Sequence, residues 1–176
     1  AVTGQQAWQA TGLEHRYKVL MAIGDELIAR SEELGDQLSR EEGKPIAEGR
    51  GEVYRSGQFF HYFAAEVLRQ VGDTADSVRP GIEVETRREP MGAVVVITPW
   101  NFPMATAAWK IAPALAFGNS VVFKPANLVP ASAVSLTEII SRQDLPPGTF
   151  NLVMGSGAEV GEALITSPDI DAITFT

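Results

Sequence analysis

The residues best equipped for chemistry fall in three short stretches. In the first, Thr98-Pro99-Trp100-Asn101-Phe102-Pro103, one side-chain amide stands between two prolines directly after the apolar run Ala93 to Ile97. Each proline fixes its own φ and biases the residue before it away from the helical region, so the turn is stiff and Asn101 is poised to donate hydrogen bonds. The second, Lys124-Pro125-Ala126-Asn127, sets a cation directly after another apolar run, with a neutral amide three residues on. The third, Gly155-Ser156-Gly157-Ala158-Glu159-Val160-Gly161, is a glycine-rich turn leading into a helix. Such a turn offers peptide N–H groups and the positive end of a helix dipole to a phosphate. An amide, an ammonium and a row of peptide nitrogens together describe a nucleotide cleft. Each also has a plainer reading: the glycines as tight turning and close helix packing, Lys124 as a surface lysine at a strand end, and Asn101 as the N-cap of the next helix.

These stretches act together only if the fold brings them to one place. Ala93 to Ile97 is a continuous apolar run suited to a strand covered on both faces, and Met104 to Phe117 follows as a helix ending at Gly118-Asn119. The unit then repeats, with strands over Ser120 to Phe123, Thr149 to Met154 and Ala172 to Phe175, and helices over Ala131 to Ser141 and Ala158 to Thr166. Strands alternating with helices over short links predict an α/β fold with a three-layer parallel sheet joined by right-handed crossovers. All three loops then open on the carboxyl edge, where such sheets bind ligands.

Upstream, apolar residues from Leu13 to Leu38 recur mostly at three- and four-residue intervals, which predicts one amphipathic helix stopped by Glu41-Glu42-Gly43-Lys44-Pro45. A second helix is predicted from Ile46 to Val71, with Gly72-Asp73 as its stop. The two read as covering layers, their charges as solvated faces, and His61 as a packed or partly exposed helical residue. Between Ser77 and Glu89 the pattern alternates, with Pro80-Gly81 as a break, and predicts a two-faced β ribbon that is either a surface hairpin or a contact with another subunit. The division is thus covering helices over 1–76, a ribbon over 77–90 and a βα core over 91–176. A last strand at Ala172 to Phe175 with no helix behind it leads us to expect that the chain is part of something longer.

Composition removes several classes of function. With no cysteine among 176 residues there is neither a disulfide, a thiolate metal site nor a thiol nucleophile, and two histidines are too few for a histidine-rich metal centre. The net charge of −8 opposes nucleic acid. No apolar run approaches the ~20 residues a bilayer span needs, so we expect no membrane partner and a cytoplasmic setting.

Three segments, Gly92-Ala-Val-Val-Val-Ile-Thr-Pro-Trp-Asn-Phe-Pro103, Trp109-Lys-Ile-Ala-Pro-Ala-Leu-Ala-Phe-Gly-Asn119 and Phe123-Lys-Pro-Ala126, resemble the aldehyde dehydrogenase superfamily, and the resemblance extends over essentially the whole chain. It implies the Rossmann-like cofactor domain of that family, incomplete and without the catalytic domain. Within the family the chain is most similar to bacterial 2-oxoglutarate semialdehyde (2,5-dioxopentanoate) dehydrogenases. By the resemblance, Asn101 would stabilise the oxyanion that forms when a cysteine thiolate attacks the aldehyde. Ile97, Thr98, Pro99 and Trp100 would line the cofactor trough beside Asn101. Lys124, with Pro125 and Ala126 behind it, would hold the adenosine ribose hydroxyls, while Gly157 and Gly161 would admit the adenosine side and pyrophosphate. Trp109 and Lys110 would border the aldehyde tunnel, Trp109 having an equal reading as core. Asn127 stands where many strict NAD users carry a glutamate; without that carboxylate a 2′-phosphate is not repelled, so the implied cofactor is NADP or NAD. The resemblance further implies a small aldehyde as substrate, a homo-oligomer (dimer or tetramer), and a nucleophilic cysteine and general-base glutamate supplied by sequence other than this. Arg50, Arg55 and Arg142 are candidate partners for a substrate carboxylate, with solvated faces as their plainer reading.

Overall fold

Ala93–Ile97 and Ser120–Lys124 are built mostly of β-branched and aromatic residues, and they become the two central strands of a four-stranded sheet. A computed structural model describes all residues, 1–176. In chain order the elements are α1 (Val2–Gln9), α2 (Leu13–Ala29), α3 (Ser31–Glu42), α4 (Ile46–Val67), β1 (Asp73–Asp76), β2 (Glu83–Thr86), β3 (Ala93–Ile97), α5 (Ala105–Ala116), β4 (Ser120–Lys124), α6 (Pro130–Ser141) and β5 (Phe150–Leu152). A turn of π-helix (Gly157–Gly161), α7 (Glu162–Ile165) and β6 (Ala172–Phe175) complete it.

The sheet is wholly parallel in the order β5-β4-β3-β6. Three strands step outward in one direction, and the chain then returns past β3 to place β6 on its far side. That reversal leaves a crevice at the carboxyl ends of β3 and β6, as in other doubly wound sheets. Side-chain alternation separates the two faces. Val94, Val96, Val121 and Phe123 join the main core with residues of α2, α4, α5 and α6. Val95 and Val122 are also buried but lie outside that core, on the opposite face.

Core helix α5 is fastened at both ends by residues far away in sequence. At its carboxyl end, Trp8 donates its indole N–H to the Leu115 carbonyl (2.8 Å), Arg16 donates to Ala116 O (3.2 Å) and Gln5 donates to Gly118 O (3.2 Å). Trp8 is completely buried, a transfer worth about 4–6 kcal/mol, so the short helix α1 docks through one large residue. Burial pulls the Arg16 guanidinium below its usual value. Its position beside the α5 carbonyls keeps it charged where the helix dipole favours a cation.

Several boundaries differ from the sequence reading. The predicted helix from Leu13 to Leu38 is two helices, broken at Arg30 (φ −101°, ψ 16°). The six-residue gap between the apolar residues Ile28 and Leu34 is the sequence trace of that break. Helix α4 stops at Val67 rather than Val71. The ribbon begins earlier than expected: its strands are Asp73–Asp76 and Glu83–Thr86, antiparallel, and Ser77 to Ile82 forms the connecting turn. Every residue of both strands is exposed. The stretch read as one helix after Gly157 opens instead with a π turn, the Gly161 N–H reaching back to Ser156 O.

Candidate functional site

Ile97 and Lys124 are register partners at the carboxyl ends of β3 and β4, and both share the face of Val95 and Val122. On β6, Ile173 and Phe175 pair with Val95 and Ile97, so they join the same face. The segment from Gly157 to Thr166 passes over this corner, and between segment and sheet lies a cavity of about 570 Å³. Its lining includes Ile97, Lys124, Gly157, Gly161, Ile165 and Phe175. That size lies within the range of small-molecule sites, and the lining, apolar walls with one cation (Lys124), one carboxylate (Glu162) and the Thr166 hydroxyl, is typical of them.

Lys124 is 6% exposed, and its ammonium has one acceptor, the Pro125 carbonyl at 3.2 Å. No carboxylate pairs with it. An ammonium carries three donors, so two of them have no acceptor in the protein and are available to whatever occupies the cavity. This sets aside the reading of Lys124 as an ordinary surface lysine.

The two cavity glycines are also unexplained by the chain's own packing. A methyl group added at Gly157 or at Gly161 would meet no other atom within 4 Å. Close helix packing therefore does not require glycine at either position, and both residues line the cavity. Gly155 differs: its φ of +151° and the proximity of Val160 demand glycine for the turn itself. Ser156 accepts from the Glu159 N–H and so caps the segment locally.

The loop after β3 is held at both ends. The Thr98 N–H donates to Lys124 O at 3.3 Å, and Thr98 is buried with its hydroxyl unpartnered. At the far end, Glu52 of α4 accepts from the N–H groups of Met104 (2.9 Å) and Ala105 (3.1 Å), and thereby caps α5. Asn101 is not the cap; its side chain is exposed and bonds to nothing in the chain. Trp100 is exposed beside it, Pro99 and Ala126 are half-buried, Pro125 is buried, and Asn127 is exposed. The structure thus joins Ile97, Lys124, Gly157 and Gly161 in one cavity, while Thr98, Pro99, Trp100, Asn101, Pro125, Ala126 and Asn127 lie outside its lining. They sit in the adjoining loops of the same sheet edge.

Sequence reasoning placed the helix charges in solvent, and for two glutamates the structure corrects this. Glu52 is 6% exposed and holds α5. Glu41 accepts from Ala131 N (2.6 Å), Ser132 N (2.9 Å) and the Ser132 hydroxyl (2.6 Å), and so holds α6. Both are tertiary caps from covering helices, and no local pattern announces them. His61, half-buried on α4, lies 2.9 Å from the Asp25 carboxylate of α2. Arg50 pairs with Asp36 and Arg142 with Glu26, which leaves Arg55 as the one of the three without a carboxylate. Trp109 is 59% exposed with its ring edge-to-face on Phe59, so it is not core.

A doubly wound parallel sheet with a lysine-bearing, glycine-rimmed cavity at its switch point is the architecture of a dinucleotide-binding domain. Comparison with known proteins makes the class specific. Residues 1–176 match the aldehyde dehydrogenase family, and the chain belongs to it. It is 39% identical, over its whole length and 36% of the relative, to the α-ketoglutarate semialdehyde dehydrogenase of Haloferax volcanii. It is 42% identical over 97% of its length, and 32% of the relative, to the mitochondrial succinate-semialdehyde dehydrogenase of Arabidopsis thaliana. The crystal structure of Staphylococcus aureus betaine aldehyde dehydrogenase in complex with NAD+ superposes with a TM-score of 0.95 at 34% identity, covering 99% of this chain and 35% of that one. The chain therefore spans about a third of the length of the relatives it matches.

Proposed function

We propose that the chain is the cofactor-binding portion of an aldehyde dehydrogenase, with covering helices over 1–67, a ribbon over 73–86 and the βα core over 91–176. The full protein oxidises a small aldehyde, of the acidic class represented by 2-oxoglutarate semialdehyde, to its carboxylate. The observation that carries this reading is the buried Lys124 ammonium, short of acceptors, at the mouth of a cavity rimmed by Gly157 and Gly161.

In this reading Lys124 donates to the ribose hydroxyls of NADP or NAD. Ile97, Ile165 and Phe175 enclose the adenosine end, and Thr98, Pro99 and Trp100 floor the path along the sheet edge toward Asn101. The bound nicotinamide supplies the hydride acceptor. The free amide of Asn101 donates to the aldehyde oxygen as it takes up negative charge, an effect worth about 3 kcal/mol of barrier for comparable donors. The thiol that adds to the carbonyl carbon and the base that activates water for thioester hydrolysis come from residues other than these, since this chain has no cysteine. Asn127 presents no carboxylate, which favours tolerance of a 2′-phosphate. The ribbon, with Val78, Ile82 and Val84 exposed, is the surface for a homo-oligomer, a dimer or a tetramer.

Calorimetry of the chain with NADP and with NAD, beside an assay of aldehyde-dependent cofactor reduction, tests the proposal. Binding by this chain together with turnover only by the full-length protein is the expected result. Turnover by the chain alone would refute the missing-thiol argument, and absence of binding by both would refute the site.

A further inference from the structure

Between the covering helices and the loop after β3 lies a buried ionic cluster for which the cofactor site has no use. The Lys44 ammonium lies 2.6 Å from Glu52 Oε2, 3.0 Å from Glu42 Oε2 and 2.9 Å from the main-chain carbonyl of Asn101, to which it donates. It also stands 4.3 Å over the Phe102 ring. The Lys44 side chain is 9% exposed and that of Glu52 2%. Glu52 has divided its carboxylate: Oε1 takes the first N–H groups of α5, and Oε2 takes Lys44.

Stability does not explain this arrangement. Desolvating three charges costs about as much as their attraction returns, and apolar residues of similar volume commonly do as well. Position does explain it. Pro99 and Pro103 stiffen the loop but leave the peptide at Asn101 without a partner from its own strand or helix, and Lys44 supplies one. Lys44 and Glu52 therefore tie the Asn101 peptide to the start of α5 through two short links. The Asn101 side chain is left unbonded and free to donate.

We infer that Lys44 and Glu52 are positioning residues for the Asn101 amide. The inference rests on the reading of Asn101 as the donor to the developing oxyanion. A shift of about 1 Å in a group that acts only in the transition state can cost ~100-fold in rate, without a matching loss of ground-state binding.

The test uses the full-length protein and steady-state kinetics of Lys44→Met, Glu52→Gln, Asn101→Ala and the double variant Lys44→Met with Asn101→Ala. Glu52→Gln keeps one oxygen for the α5 cap and replaces the oxygen that accepts from Lys44 by an amide NH2, so it breaks the link to Lys44 and remains informative if Lys44→Met folds poorly. We expect kcat to fall about 10- to 100-fold in Lys44→Met and Glu52→Gln, with the cofactor KM unchanged and partial recovery in Lys44→Arg. The double variant should be no slower than Asn101→Ala alone. If Asn101→Ala is slow while both cluster variants turn over normally, the positioning role is wrong and the reading of Asn101 survives. Additive losses in the double variant would likewise refute it, as a general structural effect. Normal turnover of Asn101→Ala would overturn the Asn101 reading and this inference with it.

Discussion

Replacing Lys124 by methionine should weaken dinucleotide binding and leave the fold as stable as before, or more so. The two effects have opposite signs because the lysine is buried without a counter-charge. Its ammonium spends one donor on Pro125 O and has two to spare. A hydrogen bond to a charged group contributes about 1.5–3 kcal/mol, so losing one to a ribose hydroxyl corresponds to about a 10- to 150-fold rise in Kd. In the unliganded chain the same substitution removes an incompletely solvated cation and keeps an unbranched stem of similar length beside Ile97 and Phe175. Titration calorimetry with NADP and NAD gives the first number, and thermal unfolding without ligand gives the second. A Kd within about twofold of the parent would refute the ligand role. A large fall in melting temperature would show instead that the ammonium holds the β3 and β4 loops together by itself.

Gly161→Ala should stabilise the chain by about 0.4–1 kcal/mol, since its φ of −59° suits alanine and the added methyl meets nothing, while lowering cofactor affinity by filling the cavity rim. Melting curves and calorimetry read the two effects separately. Glu41→Ala strips the cap from α6 and should cost about 1–3 kcal/mol in urea unfolding, with no change in cofactor Kd. At Glu26, burial raises the carboxyl, but bonds from Arg142 and Arg30 outweigh it and its pKa lies below the usual value. Its contribution is thus complete above the ordinary glutamate range and lost as pH falls through the lower folded value, so Glu26→Gln should flatten the acid limb of a melting-temperature profile. For Lys44, burial lowers the ammonium pKa, but bonds from Glu52 and Glu42 dominate and raise it. That contribution is complete below the ordinary lysine range and disappears as pH rises through the folded value, which Lys44→Met should show as loss of an alkaline step.

The core strands were legible because their physics is local. Runs such as Ala93 to Ile97 have only one comfortable environment, a sheet covered on both sides, and β3 and β6 fall where the apolar pattern puts them. The site loops followed from parallel connectivity alone. What escaped was set by tertiary contacts. Helix α1 carries a weak pattern and is held by Trp8, whose partner is more than a hundred residues away. Glu41 and Glu52 look like any other charges on amphipathic helices until the helices they cap are brought beside them. The π turn at Gly157 was invisible for a different reason: its sequence suits an α-helix equally well, and the choice lies in one hydrogen bond from Gly161 to Ser156.

These misses share a direction that bears on the site. A parallel sheet sends the amino termini of its crossover helices to the ligand edge, and each attracts negative charge. Here the first two are already neutralised from within, α5 by Glu52 and α6 by Glu41. An anionic ligand gains nothing at either position and would meet a carboxylate there. On the other face of the sheet Lys124 forms no ion pair, and the turn from Gly155 to Gly161 is capped locally by Ser156, whose hydroxyl also donates to Glu159, while Glu162 shares the cavity lining with Lys124. The covering helices, read from sequence as a passive outer layer, thus occupy two of the helix starts at the ligand edge. Through Lys44 the same layer holds the Asn101 peptide, so α3, α4 and the loop between them act on both ends of the proposed site without lining its cavity.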